Sequence, residues 1–489
     1  MLSDAAAADM TGNAIGADPH IVAALRFEIK HELERYARFG REYGCLEGSV
    51  GKAFNSAELS LFKELSTAVV VRLRVEESAF QRSPEYKHFL AIKLAEREPV
   101  SSLTFFTHRI VGLGGFGEVY AMKRVESGKV YAVKVLNKSV VKRKHAEDLC
   151  INERTALQVC RSPFVVNLLY AFQTKADLFL VLDMMSGGDL CYHLNKSPTG
   201  RFPPQQARFH AVEIMLGLRH IHEHGYVYRD LKPDNVLLCD RGHCKISDLG
   251  LAISKDKPLV FTAGTLGYMA PEMFRRNDFG EYDPNGKKPP YDHAVDWWSY
   301  GCLVFEILVG KCPFRTMAAK TYYERLFGVV CPGGNTLSYR YATCSMEVEY
   351  NSSVFQSPEG QLAASLIKGC LKRNRTERFG STDRLYYKLK HHAWFADFVD
   401  VGAIARKEIK PIFVPRKNKT NAERTHEILR ELQKRETVKL NAPDQLQWAS
   451  WSYCAPNAFQ EELVELMAHE DSNGPVDPPT ANLRFCSIM

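Results

Sequence analysis

The sequence YRDLKPDN at residues 228–235 decides how this 489-residue chain is interpreted. It places a carboxylate (Asp230), an ammonium group (Lys232) and a carboxamide (Asn235) in one short segment. A carboxylate can receive a proton from a hydroxyl group, an ammonium group can neutralise a phosphate, and a carboxamide can bind a metal ion. The segment therefore predicts a phosphoryl-transfer site.

A glycine-rich segment, GLGGFG at residues 112–117, precedes this stretch and is followed by Glu118 and Val119. Glycine lets the backbone fold closely over phosphate groups. Alone the pattern is weak, because it also fits a dinucleotide site or an idle loop. However, the runs HRIVG, GEVYAMKR and KVYAVKVL predict strands on both sides of it, whereas a dinucleotide site needs a helix next. No Gly-Lys-Ser/Thr follows, which excludes a Walker loop.

Lys134 lies in the third predicted strand, with Ala132 on the same face. A lysine that binds phosphates needs a carboxylate to hold it, and Glu153 is the best candidate. Leu149 and Leu157 lie one turn either side of Glu153 and are expected on the same helix face. Taken singly, Lys134 would be an exposed strand residue and Glu153 a surface charge.

Two further elements are DLG at residues 248–250 and APE at residues 270–272. The carboxylate of Asp248 is expected to bridge Mg²⁺ to the phosphates. The five elements occur in the order and spacing of the protein-kinase signature set, so the sequence predicts a protein kinase that uses ATP and Mg²⁺. Lys232, together with Gly264-Thr265 ahead of the APE segment, resembles serine/threonine kinases. Every catalytic group is present, which argues against a pseudokinase.

The kinase pattern assigns a role to each of these residues. The expected catalytic residues are Asp230, Lys232, Lys134 and Glu153, and the expected metal ligands are Asn235 and Asp248. The expected nucleotide-binding residues are Val111, Gly112, Leu113, Gly114, Gly115, Phe116, Gly117, Glu118, Val119, Ala132, Lys134, Leu182, Asp183, Met185, Asp189 and Leu237. Expected supports are Asp296 under the catalytic loop and an ion pair between Glu272 and Arg378.

The predicted fold class is α+β, a bilobal protein-kinase fold with a β-rich N-lobe and a helical C-lobe. Helical patterns dominate after Glu147, apart from a loop-and-strand block around 226–250, and residues 277–291 are expected to form a surface insertion. The expected segments are a flexible N-terminus at 1–19, a helical region at 20–100, the kinase domain at 104–395, a C-terminal extension at 396–470 and a disordered tail at 471–489.

Composition adds few constraints. The net charge is +7, and residues 406–439 alone carry 11 Lys/Arg against 5 Glu. That stretch is either a solvated helix face or a surface for an anionic partner. The 13 cysteines lack zinc-ligand spacing and predict reduced thiols. No apolar run long enough for a membrane span and no signal peptide is expected.

Several segments resemble the G-protein-coupled receptor kinases of the AGC group. Tyr228 stands where most kinases have histidine, and Leu249 where most have phenylalanine. GGFGEVYA, SGGDLCYHL, GHCKISDLGLA, GTLGYMAPE and PIFVP are similar to that family, and residues 71–99 resemble the closing helices of its RGS-homology domain. The resemblance implies an all-helical, shortened RGS-homology region. It implies protein substrates that are activated G-protein-coupled receptors, a possible heterotrimeric G-protein partner and no nucleic acid.

Other features depart from that family. The helical region before the kinase core is about half the usual module, which puts Gα binding in doubt, and the charged run ERTHEILRELQKRETVKL replaces the usual tail segment. Phe261 stands where many AGC kinases carry a phosphorylated threonine, although Thr262 is adjacent. We expect closure to depend on tail and partner contacts instead of an activation-loop phosphate.

The chain ends in Cys486-Ser487-Ile488-Met489, a prenylation box in which methionine favours farnesyl. One lipid chain binds a membrane only marginally, so the basic stretch 406–439 is expected to provide a second contact. The predicted location is therefore cytoplasmic, with peripheral membrane association.

Two alternatives stay open, namely an AGC kinase of soluble substrates and a signalling scaffold that binds Gα or receptor without catalysis. Asp189 and Asp234 lie where some AGC kinases read a substrate arginine, so a preference for basic peptides also stays open.

Overall fold

The computed structural model describes residues 99–125, 127–274, 291–315, 321, 336–396, 400–416 and 440–462. Six predicted features lie outside these residues: the N-terminus at 1–19, the RGS-like helices, nearly all of the insertion, most of the basic stretch, the tail at 471–489 and its prenylation box. None of the described helices is long and apolar enough to cross a membrane. Every cysteine in the described part of the chain is a free thiol.

The chain divides into two compact units. The first unit consists of Met1–Thr107, Lys123–Val130 and Pro456–Met489. Within its described residues, a buried ion pair joins Arg124 to Glu462 at 3.2 Å, and the Arg124 guanidinium lies 4.3 Å from the centre of the Phe459 ring.

The second unit, His108–Met122 with Tyr131–Ala455, contains most of the sheet and the helices. The ten strands of the described structure are β1 Phe105–Leu113, β2 Gly117–Arg124, β3 Val130–Asn137, β4 Leu168–Gln173, β5 Asp177–Leu182, β6 Tyr226–Val227, β7 Val236–Leu238, β8 Cys244–Ile246, β9 Ile253–Ser254 and β10 Tyr453–Cys454. Six of them form a sheet in the order β1-β2-β3-β5-β4-β10. Two small antiparallel pairs, β6–β9 and β7–β8, carry the loops of the catalytic segment.

Helices make up the rest of the described fold. They are α1 Lys138–Arg143, α2 Glu147–Val159, α3 Leu190–Lys196, α4 Pro204–Glu223, α5 Ala294–Val309, α6 Thr336–Ser345, α7 Pro358–Cys370, α8 Asp383–Lys390, α9 Ala393–Ala396, α10 Val401–Ala405 and α11 Ala442–Leu446. Helix α5 is buried along almost its whole length because it has apolar residues on nearly every face. Helix α4 is buried along most of its length although several of its buried side chains are polar, among them Arg208, His210 and Glu213. The β-rich and helical lobes of the predicted bilobal fold are therefore both present.

Two details of the sequence-based organisation were wrong. Strands β4 and β5 lie in the stretch after Glu147 that was expected to be helical. The run LLYAFQ is apolar apart from its last residue, Gln173, and its first five residues are buried in β4. Such a run cannot be told from a buried helix by periodicity. Tyr291, the last residue of the expected surface insertion, is 3% exposed, and its hydroxyl donates to the Phe261 carbonyl at 2.6 Å.

Candidate active site

The glycine-rich segment connects β1 and β2 and lies close against β3. A Cβ atom on Gly117 would approach the Val135 carbonyl oxygen to 1.6 Å, whereas one on Gly115 would meet nothing within 4 Å. The Gly114 amide donates to the Gly117 carbonyl at 2.7 Å, and the Lys144 ammonium donates to the Gly115 carbonyl at 2.6 Å. Position 117 thus needs glycine because any side chain there would collide with the backbone of β3, whereas position 115 has room for a side chain.

Lys134 on β3 meets Glu153, the carboxylate that the sequence assigned to it, and also Asp248. Its Nζ lies 2.5 Å from Glu153 Oε1 and 3.3 Å from Asp248 Oδ1. Burial alone lowers the pKa of Lys134, but the charges of Glu153 and Asp248 raise it above the usual value. The Lys134 charge in turn lowers the pKa of Asp248. Lys134 and Asp248 therefore keep opposite charges at neutral pH, which suits phosphate and metal binding.

Helix α2 presents Glu153 inward, although the face that carries it was wrongly predicted. Leu157 is 3% exposed, but Leu149 is 43% exposed and lies outside the core. The buried positions that precede and follow Glu153 are Cys150, Ala156 and Leu157. The apolar stripe is thus rotated away from Leu149, because Cys150 occupies the position three residues before Glu153.

Asp230 lies at the centre of the catalytic loop and three side chains contact its carboxylate. Lys232 Nζ is 3.1 Å from Oδ2, the Thr265 hydroxyl donates to Oδ1 at 2.6 Å, and Asn235 Nδ2 donates to Oδ2 at 2.9 Å. Lys232 Nζ also donates to Thr265 Oγ1 at 2.8 Å. These contacts fix one orientation of a carboxylate that is 11% exposed and able to meet a substrate.

A fully buried carboxylate, Asp296 on α5, holds the backbone on which Asp230 lies. It accepts the Tyr228 amide at 2.8 Å, the Arg229 amide at 2.7 Å and His222 Nε2 at 2.7 Å. Arg229 has φ 71°, a conformation that is uncommon for a non-glycine residue. The three donors keep this strained turn in place and so position Asp230.

The predicted ion pair between Glu272 and Arg378 is also present in the described structure. The Arg378 guanidinium lies 2.6 Å from Glu272 Oε1 and 3.0 Å from Oε2, and its side chain has no exposed surface. It also donates to the carbonyls of Lys372 and Ala294. Such a bidentate contact joins the APE segment to the end of the helical lobe.

The residues expected around the adenine base lie on neighbouring backbone segments. Ala132 on β3 pairs directly with Leu182 on β5, and Leu237 on β7 forms a bridge with Asp189. The Asp183 side chain, however, accepts from Lys245 Nζ at 2.6 Å and from the Asn167 amide groups. Only the backbone of Asp183 therefore remains to contact a base. Four more of these residues are partly exposed: Val111 and Leu113 on β1, Phe116 in the glycine-rich loop and Met185 in the segment after β5. Glu118 and Val119 follow on β2.

The donor set of Asn235 and Asp248 fits a magnesium ion. Asn235 uses its amide nitrogen to hold Asp230, and a carboxamide oxygen and a carboxylate are oxygen ligands of the kind that Mg²⁺ combines with substrate phosphates. Asp248 has φ 49° and ψ 78°, a left-handed conformation that aims its carboxylate toward Lys134. Backbone strain of this type persists mainly at functional sites.

A segment near the C-terminus, residues 440–455, supports the β-rich lobe; we call it the strap. Its Trp448 and Trp451 are 1% and 2% exposed and join the main core. Trp451 Nε1 donates to the Phe179 carbonyl at 3.2 Å, and the Trp448 carbonyl accepts from Gln173 at 2.7 Å. Strand β10, at the end of the strap, pairs with β4. The strap thus adds an edge strand and two aromatic anchors to the sheet.

The strap also contacts the two helices that follow β3. Arg154, next to Glu153 on α2, donates to the Trp451 and Ser452 carbonyls at 3.2 and 3.1 Å. On α1, Lys142 forms an ion pair with Asp444 at 2.6 Å. Sequence reasoning assigned these residues no function. The available signal was the pair of tryptophans three residues apart, in a chain that has only five.

The comparisons with known proteins agree with this geometry. A family model for the protein kinase domain matches residues 105–395. G protein-coupled receptor kinase 1 of Caenorhabditis elegans is 46% identical over 249 residues, which cover 50% of this chain and 37% of that protein. Human rhodopsin kinase GRK7 is 34% identical over 402 residues, 82% of this chain and 67% of that kinase.

Human beta-adrenergic receptor kinase 1 is 36% identical over 399 residues, which cover 80% of this chain and 52% of that protein. The aligned part of this chain thus spans about a third of the worm relative and two thirds of the rhodopsin kinase. The match to the kinase model and the extent of the match to the rhodopsin kinase lead to one conclusion: the chain belongs to the G protein-coupled receptor kinase family.

Proposed function

We propose that this chain is a serine/threonine protein kinase that transfers a phosphoryl group from ATP. The orientation of Asp230 is the observation that carries the proposal, because Lys232, Thr265 and Asn235 all contact its carboxylate. A carboxylate held this way can receive the proton of a serine or threonine hydroxyl, a contribution of about 10²–10⁴-fold in rate.

The other side chains bind and neutralise charge. Lys134 would hold the α- and β-phosphates, with Glu153 keeping its ammonium group in place. Lys232 would neutralise the transferring group, and Asn235 and Asp248 would hold the metal. When bound, ATP supplies the γ-phosphoryl group and Mg²⁺ reduces its negative charge. The chain's own contribution is positioning and electrostatic stabilisation, the two requirements of phosphoryl transfer.

Replacement of the central carboxylate tests this function. Asp230→Asn keeps the size of the side chain but cannot take a proton, so kcat should fall by about 10²–10⁴-fold while the KM for ATP changes little. The matched control is Asp240→Asn, a change at an exposed position between β7 and β8. Phosphate transfer to a serine- and threonine-containing peptide library measures both. If Asp230→Asn retained wild-type turnover, the proposed role would be wrong.

We also propose that the substrates are activated G-protein-coupled receptors at the cytoplasmic membrane face. The names of two relatives, a rhodopsin kinase and a beta-adrenergic receptor kinase, support this substrate class. Agonist-bound receptor in vesicles should be phosphorylated at least about tenfold faster than the same receptor with antagonist. Equal rates, or faster transfer to soluble proteins, would favour an AGC kinase of soluble substrates. A cellular effect that survives Asp230→Asn would favour a scaffold that binds receptor or Gα.

Membrane association through prenylated Cys486 stays part of the proposal, as does Gα binding by the N-terminal region. Two of the described basic residues of the stretch 406–439 already have acidic partners within the chain, since Lys407 contacts Glu213 and Arg406 contacts Glu408. A second membrane contact would therefore come from the remainder of that stretch. Cys486→Ser should move the protein from the membrane fraction to the supernatant of lysed cells, and unchanged partition would remove the anchor.

The strap gives the proposed tail-dependent closure a physical basis. Arg154 links the strap to the helix that carries Glu153. In the activation segment, Phe261 is 67% exposed, and the Thr262 hydroxyl donates to the Met273 carbonyl at 2.8 Å. We therefore expect active enzyme to lack phosphate on Thr262. Mass spectrometry that found stoichiometric phosphate there would contradict tail-dependent closure.

A preference for basic peptides is a further part of the proposal. Burial raises the pKa of Asp189, and the nearby charge of Asp234 raises it further, so the two acids share one electrostatic environment. A substrate arginine or lysine would relieve their repulsion. The peptide-library profile should then show enrichment of basic residues near the phosphorylated position, and a flat profile would exclude this role.

A further inference from the structure

A second cluster of reactive side chains lies in the helical lobe, outside the active site. His210 and Glu213 are one turn apart on α4, and Cys244 begins β8. Their possible ligand atoms all lie within 4.8 Å of one another. Exposed surface is 0%, 0% and 1% for the three residues, respectively. A buried imidazole, carboxylate and thiol in such proximity are a combination typical of metal sites.

His210 is the residue that most needs an explanation. Among the residues that the structure describes, neither of its ring nitrogens has a hydrogen-bond partner, although the side chain is completely buried. Its ring instead lies near the edges of Phe202 and Phe209. An unsatisfied buried polar group costs about 1–3 kcal/mol, so a ligand at these nitrogens would remove a penalty.

Glu213 already has three donors. Its carboxylate accepts from His243 Nδ1 at 2.7 Å, from Lys407 Nζ at 2.6 Å and from the Cys244 amide at 2.8 Å. Lys407 follows α10, and its side chain is 25% exposed, so its ammonium group can move into water. The Lys407 ammonium group therefore neutralises the buried Glu213 carboxylate, and another cation could take its place.

We propose that His210, Glu213 and Cys244 bind one Zn²⁺ ion, with His243 as the nearest fourth ligand. Imidazole nitrogen, carboxylate oxygen and thiolate sulfur are all zinc ligands, at about 2.0–2.3 Å from the metal. Atoms within 4.8 Å of one another reach that geometry by small side-chain rotations. On binding, the Cys244 thiol releases its proton to solvent and the Lys407 ammonium leaves Glu213. The ion, the thiolate and the carboxylate then sum to zero charge.

The zinc site would be structural and would support the active site indirectly. It would join α4 to the β7–β8 hairpin, and β8 ends two residues before Asp248. The scattered cysteines of the sequence give no zinc pattern because the hairpin provides Cys244 and His243, whereas a helix provides His210 and Glu213. Only the fold brings them together.

Cobalt and zinc binding to the full-length protein tests the site. After treatment with a chelator, the protein should bind one Co²⁺ per chain and show the ultraviolet thiolate-to-cobalt charge-transfer band, and Zn²⁺ should raise its Tm. Cys244→Ala and His210→Phe should abolish both effects or weaken binding at least about tenfold. Cys370→Ala, a matched change at another buried cysteine on α7, should behave like the wild type. Lys407→Met should strengthen binding, because it removes the competing cation.

Two results would overturn the proposal. One is a wild-type protein that shows neither the charge-transfer band nor the rise in Tm. The other is a Cys244→Ala protein that keeps both at wild-type strength, which would assign the metal to other thiols. If His210→Phe does not fold, Cys244→Ala and Lys407→Met still decide between these outcomes.

Discussion

The catalytic loop and the phosphate-binding side of the active site are held in place in different ways. Around the loop, Asp296 and Arg378 have no exposed side-chain surface, and they reach Tyr228, Arg229 and Glu272 from within the helical lobe. On the other side, Glu153, the partner of Lys134, lies on helix α2. The neighbouring Arg154 on that helix donates to strap carbonyls 297 and 298 residues further along the chain. The loop is thus fixed by its own lobe, whereas the phosphate-binding side also relies on contacts with the strap.

The largest effect on stability should follow from removing the buried charge of Arg378. Arg378→Met leaves Glu272 without its bidentate partner, and we expect a loss of about 3–5 kcal/mol in the free energy of unfolding. Urea unfolding measures it. The control is Arg219→Met, because Arg219 pairs with Glu223 and Asp383 at the surface, where a pair is worth about 1 kcal/mol or less. Similar losses in both proteins would refute the contrast between buried and exposed pairs.

A smaller effect is expected from the glycine-rich loop. Gly117→Ala places a Cβ atom against the Val135 carbonyl, so β2 must move away from β3 at a cost of about 1–3 kcal/mol. ATP binding, measured by calorimetry, should weaken as well. Gly115→Ala meets no atom within 4 Å and should bind ATP as the wild type does. An equal loss in the two variants would mean that loop flexibility, not contact with β3, limits binding.

The effect that is smallest at neutral pH concerns the acid sensitivity of stability beneath the catalytic loop. Burial, and then the nearby His222, lower the pKa of His293 to about 4, below the value near 6.5 of an unfolded chain. As pH falls from about 6.5 to 4, the unfolded state takes up this proton first, so stability is lost in that range by at most about 1.4 kcal/mol per pH unit. His293→Phe should reduce the slope of stability against pH. An unchanged slope would show that other groups cause acid unfolding.

Contiguous motifs made the catalytic loop predictable from sequence. Asp230, Lys232 and Asn235 lie within a few residues of one another, so their chemistry and mutual distance are set locally. The pairing of Lys134 with Glu153 was predicted correctly, but with the wrong helix face, because Leu149 and Cys150 are both plausible core residues. Strands β4 and β5 were missed because a nearly continuous run of apolar residues shows neither the alternation of a half-buried strand nor the periodicity of an amphipathic helix.

Contacts between distant segments were not predictable. Arg154 and Trp451 are separated by 297 residues, and no local pattern links them. The cluster of His210, Glu213 and Cys244 was missed for the same reason, since its cysteine has no neighbour at zinc-ligand spacing. In both cases the residue types were visible in the sequence, and only the fold showed which of them meet.

Hydrogen exchange in Arg154→Met would test most directly whether the two sides of the site are held separately. This change removes the bonds from α2 to the strap carbonyls and leaves the catalytic loop untouched. We predict faster amide exchange in residues 147–159 and unchanged exchange in residues 228–235, together with lower turnover. Equal acceleration in both segments, or none in either, would contradict the account.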